Sequence, residues 1–458
     1  MPFLAGNLIR VVLLLALAFF LGSLLLVAAA MARRFKRERD FKVLDAFRER
    51  SHSVLEGLSA GALEYGSGLE QFHEIMAACG VQDVESILVE RLAQPRYAPV
   101  AGRLLGDLGM IESWQHRAGA AVRPMGGRAA LPLFAWGARF YHRARDVQKL
   151  GRLVDQQSWR LLVKALDDPH EDVREAAVRS LAAIRVPQSF PVLVKQLQDS
   201  LALPTPVLSS RILRLALGQF PLELADQLRP LLENSSFQAQ LAGAQALREM
   251  LTNHSTDHSG SENLSAGLSD LIWKKLASVD SPDVRAVAAD LMAFMGDEES
   301  GTKLIHSAGD KEWFVRLHAV RALGKRKNPA HRSVVADHLT DPHWRVREAA
   351  ALALAAAGSE GASELLRVFA ATEDTYAREQ IAEALVTSGL MDELARRCSG
   401  EGALPEREAL LEVVRMGKTA CLESWLRHQP ATQREKFLTT LRCCNDSLVQ
   451  KWVDAMAE

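Results

Sequence analysis

Along most of the chain apolar residues recur three, four and eight positions apart, the spacing of one face of an α-helix, and between residues 311 and 358 that pattern is written twice. In KEWFVRLHAVRALGKRKNPAHRSVVADHLTDPHWRVREAAALALAAAG a helix opens at Val315-Arg316 and closes at Ala322-Leu323-Gly324. A second opens at Val346-Arg347, 31 residues later, and closes at Leu354. A fixed period of about 20–50 residues predicts stacked repeats. Val173 with Leu181 and Val284 with Met292 repeat the pairing of a marker valine with an apolar residue eight positions on. Weaker copies are Val207 with Leu215, Ala239 with Leu247 and Ala377 with Leu385; faint ones are Glu406 with Val414 and Gln433 with Leu441. The phase predicts about nine repeats between residues 153 and 458.

Each repeat has a legible interior. Asp341-Pro342 closes one helix and starts the next, because Asp caps a helix N-terminus and Pro is tolerated only in its first turn. Val346, Ala349, Ala350 and Leu354 then share one face, and SELLRVFAA (363–371) supplies a second amphipathic helix. Neither stripe is buried unless successive pairs stack. The expected fold is all-α: an α-solenoid of helical hairpins, preceded by one transmembrane helix.

That transmembrane helix is read from residues 11–32, VVLLLALAFFLGSLLLVAAAMA, a run without charge. At ~1.5 Å per residue it covers the ~30 Å hydrocarbon core. Arg33, Arg34, Lys36, Arg37 and Arg39 come directly after it, which places the remainder on the cytoplasmic side of a bacterial inner membrane. A cleaved signal peptide is the rival reading; the run is too long and its basic cluster lies on the wrong side. Residues 33–52 continue as a basic helix that either packs Phe35, Phe41 and Phe47 on the next domain or lies on anionic headgroups.

Residues 53–116 read as a helical cap to the repeats and 117–152 as a basic insert. No acidic residue separates Glu112 from Asp146. GAAVRPMGGR (119–128) has the composition of a loop, and residues 131–152 form a basic helix with aromatic residues near its start. An ordinary core helix after a linker is one account. The other is docking at a membrane surface through Trp136, Arg139, Arg143 and Arg145.

Two columns run through the repeats. Arg174, Arg285, Arg316, Arg347 and Arg378 follow each marker, while Asp168, Asp310 and Asp341 precede it by five, with Asp280 and Asp374 close to register. A ladder of Asp–Arg contacts between repeats explains them; an arginine track for an acidic partner is the alternative. Trp313 and Trp344 are also 31 apart and are expected on one edge. With His318, His343, Arg316 and Arg347 they form the candidate partner-binding surface, since Trp and Arg dominate interface hot spots. His254 and His258, beside Asp257 and Glu262, fall in a polar tract, TNHSTDHSGSENLS (252–265), expected to be a solvated loop rather than a metal site.

A formal net charge of −1 sets no global field for nucleic acid. The five cysteines form no CxxC pair and suit a reducing compartment. No phosphate loop, GxSxG or HExxH is present.

The strings DDPHEDVREAAVRSLAAI (167–184), DSPDVRAVAADLMAFMG (280–296), DKEWFVRLHAVRALG (310–324) and DPHWRVREAAALALAAAG (341–358) resemble HEAT repeats, in the short bacterial form also called phycobilisome-lyase-type. The resemblance implies a protein-binding scaffold with the Val-Arg helices on its concave side. We therefore expect a membrane-anchored, non-enzymatic accessory protein of an envelope, polysaccharide or signalling assembly. It is expected to bind protein, and neither a cofactor, a metal, nucleic acid nor a small-molecule substrate. Rival functions are a lyase acting on a protein-linked chromophore and a nucleic-acid-binding array.

Overall fold

The computed structural model describes residues 31, 45–119, 133–153, 158–203, 208–254, 264–390, 394, 398, 404–442 and 446–457. Among these residues the secondary structure is helical, with no strand. No described helix is long and apolar enough to cross a membrane. Apart from Met31, the expected anchor at 11–32 lies outside the described residues, as do the basic residues Arg33, Arg34, Lys36, Arg37 and Arg39.

The chain forms two compact units, residues 1–184 and 185–458. In the first, helical residues 45–59 lead into Tyr65–Cys79, Val81–Arg91, Ala98–Asp107 and Met110–Gly119, each packed on the next. The Leu133–Arg152 helix then lies along Glu171–Ile184, with the short Trp159–Ala165 helix beside it. The core of this unit contains Phe72, Leu104, Leu105, Trp114, Leu150 and Leu162, all fully buried.

In the second unit one row of helices runs Phe237–His254, Pro282–Met292, Trp313–Arg326, Trp344–Ala355, Thr375–Thr387 and Leu404–Arg415, each touching its successor. Glu298–Ala308, Arg332–Asp337 and Ser359–Ala371 form the partner helices behind it. The marker positions Val284, Val315, Val346 and Ala377 are 0% exposed, and Met292, Leu323, Leu354 and Leu385 close the same stripe. Burying one such side chain is worth about 1.5–3 kcal/mol, so the stripe is what holds consecutive repeats together.

Small residues let the rows approach. A Cβ on Gly324 would stand 2.5 Å from the Ala353 Cβ of the following helix, so that contact requires glycine. Lys327 ends the Trp313–Arg326 helix in the left-handed region at φ 49°, a conformation that costs a non-glycine residue some strain.

Two expectations need correction. In the copy assigned to Val207 and Leu215, Leu215 is 46% exposed, while Leu213 and Leu217 are buried, so the register lies two residues later; Val207 itself is outside the described residues. The polar tract at 252–265 is partly helical: Phe237–His254 extends into it, and His254 Nε2 lies 2.9 Å from the Phe220 carbonyl oxygen. His258, Asp257 and Glu262 are outside the described residues.

Candidate partner-binding edge

The repeats are stitched by the arginine and aspartate columns. Arg316 donates from Nε and Nη2 to the two carboxylate oxygens of Asp341, 25 residues ahead, at 2.7 and 2.8 Å. Its Nη1 donates back to the Asp310 carbonyl at 2.9 Å. Arg285 does the same with Asp310, at 2.7 and 3.0 Å. The aspartate also caps the turn: Asp310 accepts from the Glu312 N–H at 2.9 Å and Asp341 from the His343 N–H at 2.8 Å. Burial acts to raise the Asp341 pKa, but the hydrogen bonds from Arg316 and the His343 N–H outweigh it and hold the carboxyl below its usual range. Bidentate guanidinium–carboxylate pairs of this kind, with Arg316 14% and Asp341 5% exposed, combine charge-assisted hydrogen bonds with a fixed geometry that exposed ion pairs lack.

The same stitch appears in the first unit, where it was not expected. Arg143 donates to both oxygens of Asp168 at 3.0 Å, and Asp168 accepts from the His170 N–H at 2.9 Å. The Leu133–Arg152 helix is thus built as a repeat helix, and Arg143 is an intramolecular ligand rather than a free membrane contact. Trp136 and Arg139 lie on this helix, with side chains outside the described residues. Arg145 is exposed and, with Tyr141, Gln148 and Arg152, lines a cleft of about 580 Å³.

Rings stack over the stitched turns. The Trp313 indole and His343 imidazole are parallel, with centroids 3.9 Å apart and planes 6° from coplanar. Trp344 is next in the stack, 6.3 Å and 16° from His343. The Arg345 guanidinium lies over both rings, 5.6 Å from the Trp313 centroid and 5.2 Å from that of Trp344, a cation–π contact. Trp344 is 50% exposed, an unusual exposure for the largest apolar side chain. His343 also caps its helix, its Nδ1 accepting the Arg345 N–H at 3.3 Å.

Of the six expected contact residues, Trp313, His343 and Trp344 therefore come together at an exposed edge. Arg316 is committed to Asp341. Arg347 donates to the Gln380 side chain at 3.3 Å and to the Asp341 carbonyl at 2.8 Å. His318 is drawn to Asp290, 2.7 Å away, whose other oxygen accepts from Arg248 at 3.0 Å. Arg345 belongs to the edge and was missed, although it sits beside Trp344 in the sequence.

HEAT repeats match residues 134–203, 269–341 and 303–386 as a family model. These segments are similar to HEAT repeats. The first begins within the Leu133–Arg152 helix, ahead of the expected start at 153, in keeping with the Arg143–Asp168 stitch. No curated protein matches the sequence. Solved structures similar to the chain include an engineered protein, at 17% identity over 76% of this chain and 97% of that one, with a TM-score of 0.34. Human deoxyhypusine hydroxylase in complex with glycerol is similar at 18% identity over 61% of this chain and 97% of that one, with a TM-score of 0.26. The karyopherin Kap121p bound to the SUMO protease Ulp1p is similar at 11% identity over 90% of this chain and 51% of that one, with a TM-score of 0.44.

Proposed function

We propose that this protein is a scaffold that binds another protein through the Trp313–His343–Trp344 edge of its HEAT repeats and holds it at a membrane. The observation that carries the reading is that edge. Ladder arginines and aspartates nearby are consumed inside the fold, yet the ring stack ends in Trp344, half open to solvent with a guanidinium over it. An exposed aromatic–arginine cluster is the composition of an interface hot spot, and rigid repeats hold it in place without an ordering cost at binding.

The membrane address rests on the uncharged run at 11–32 and the five basic residues after it. We assign the repeats to the cytoplasmic face of a bacterial inner membrane, within an envelope, polysaccharide or signalling assembly. Confinement beneath the bilayer raises the effective concentration of a membrane-bound partner.

Crosslinking in intact membranes coupled to mass spectrometry tests the binding surface. Wild type should retain a partner that the Trp313→Ala/Trp344→Ala double variant loses; equal recovery by both removes the assignment. Cys421 is exposed and Cys398 buried, so a chain retaining only Cys421 reports topology. An impermeant thiol reagent should leave it unlabelled in intact cells, and labelling would place the repeats outside.

A further inference from the structure

The stack has a repeating rule and one departure from it. In two places the ring that precedes a ladder arginine by three is covered by the residue thirty positions ahead. Phe140 lies 3.6 Å from His170 with planes 7° apart, and Trp313 lies 3.9 Å from His343 with planes 6° apart. Both histidines are also helix caps, each Nδ1 accepting the N–H two residues on, at 3.3 Å.

At Trp344 the corresponding residue is Asp374. It occupies the same capping place: its own N–H donates to the Thr372 hydroxyl at 3.2 Å, and its Oδ1 accepts the Tyr376 N–H at 3.0 Å. The backbone arrangement is kept, but the planar ring is replaced by a carboxylate. Thr372 in turn stands where Asp310 and Asp341 stand in the preceding repeats, so Arg347 turns to Gln380. The turn that should cover Trp344 therefore lacks both its ring and its ladder aspartate. Glu373 and Asp374 are exposed there, and neither has an ion-pair partner among the described residues. Tyr376, beside them, is 69% exposed.

We propose, building on the scaffold reading, that the face of Trp344 directed toward this turn receives an arginine side chain of the bound protein. The guanidinium is planar and stacks on an indole as the imidazole of His343 does on Trp313, and it carries the charge that Glu373 and Asp374 leave unmatched. Oδ2 of Asp374 and the Glu373 carboxylate accept its N–H groups while Oδ1 remains on the cap. A lysine supplies the charge without the plane, and an aromatic ring supplies the plane without the charge. An arginine supplies both. Arg345 is shared between the Trp313 and Trp344 rings, and Trp344 is still 50% exposed.

The full chain, purified in detergent, is titrated with a short acetylated peptide carrying one arginine between alanines and glycines, and with matched peptides carrying lysine or citrulline. Binding is read by chemical shift on side-chain-labelled tryptophan. The arginine peptide should perturb the Trp344 indole signal, and citrulline should bind about tenfold more weakly because the charge is gone. Asp374→His restores the ring found in the two other repeats and should fill the face, abolishing the perturbation while leaving the melting temperature unchanged. Asp374→Asn keeps the cap and should weaken binding to the citrulline level. Equal binding of citrulline, indifference to Asp374→His, or no perturbation by the arginine peptide overturns the inference.

The membrane crosslinking assay separates this inference from the reading beneath it. Loss of the partner in Trp313→Ala/Trp344→Ala but retention in Asp374→His removes the arginine and keeps the scaffold edge. Retention in all variants removes both.

Discussion

The Leu133–Arg152 and Trp313–Arg326 helices present the same outer face on opposite kinds of core. Each offers a ring three residues before a ladder arginine, and each arginine reaches an aspartate 25 residues ahead. On the inner side, positions that hold Ala319 and Ala322 in one helix hold Asp146 and Lys149 in the other. Asp146 and Lys149 are 2% and 7% exposed, and they join a network of charge. Arg117 donates to both oxygens of Asp146 at 2.6 and 3.1 Å, while Lys149 pairs with Glu85 and, at 3.2 Å, with Asp146. The outward ring and arginine contacts are thus kept in both helices. The inward positions are free to match whatever packs behind, alanine against helices of the array, ion pairs against the irregular cap.

The sharpest way to break the comparison is Lys149→Met. Removing one partner of a buried pair strands the others, and a loss of about 3–5 kcal/mol is expected in urea unfolding of the first unit. The triple change Glu85→Leu/Asp146→Ala/Lys149→Met should recover much of it, because the charges then leave together. Gly324→Leu and Gly151→Leu test the shared close approach. The Gly151 Cβ would meet the Ser180 Cα at 2.7 Å, so each change should cost about 1–3 kcal/mol or more.

Next in size is the ladder itself. Asp341→Asn should cost about 1–3 kcal/mol by weakening a buried, charge-assisted contact, whereas Gln380→Ala at the following step should cost under about 1 kcal/mol. Thermal melts of the two variants compare them directly.

Acid gives a smaller and graded effect. Burial, aided by Arg326, lowers the pKa of His331 below its ordinary value of 6.5. The unfolded chain therefore takes up a proton that the folded chain refuses, and stability should fall as pH drops below 6.5. His331→Gln should flatten that slope. The depressed carboxyls of Asp310 and Asp341 add a second loss that begins as pH falls through the ordinary value of 3.8 and is complete once the folded carboxyls themselves are protonated. Trp344→Ala, at an exposed edge, should change stability by less than about 0.5 kcal/mol.

The all-α repeat plan was legible because the helical period and the Asp, Val-Arg and Ala positions recur together. The burial of Val173, Val284, Val315 and Val346 is a direct result of that pattern. The ladder was legible as two columns, but its span was not, since spacing alone does not say which aspartate an arginine reaches. The Leu133–Arg152 repeat was hidden for a specific reason: its marker position is His142, exposed and polar, while the informative spacings are those of Phe140 to His170 and Arg143 to Asp168. The register slip at Leu213 and Leu217 arose because two apolar residues were available two positions apart. Arg345 was passed over because a charge beside a tryptophan carries no period of its own.

Arg143, Arg285 and Arg316 each reach an aspartate one repeat forward. Whole modules could be duplicated or deleted within such a row without stranding a charge, provided the cut falls between equivalent turns. At Thr372 the forward acceptor changes and Arg347 meets Gln380 instead, so a module joined there would give up the carboxylate.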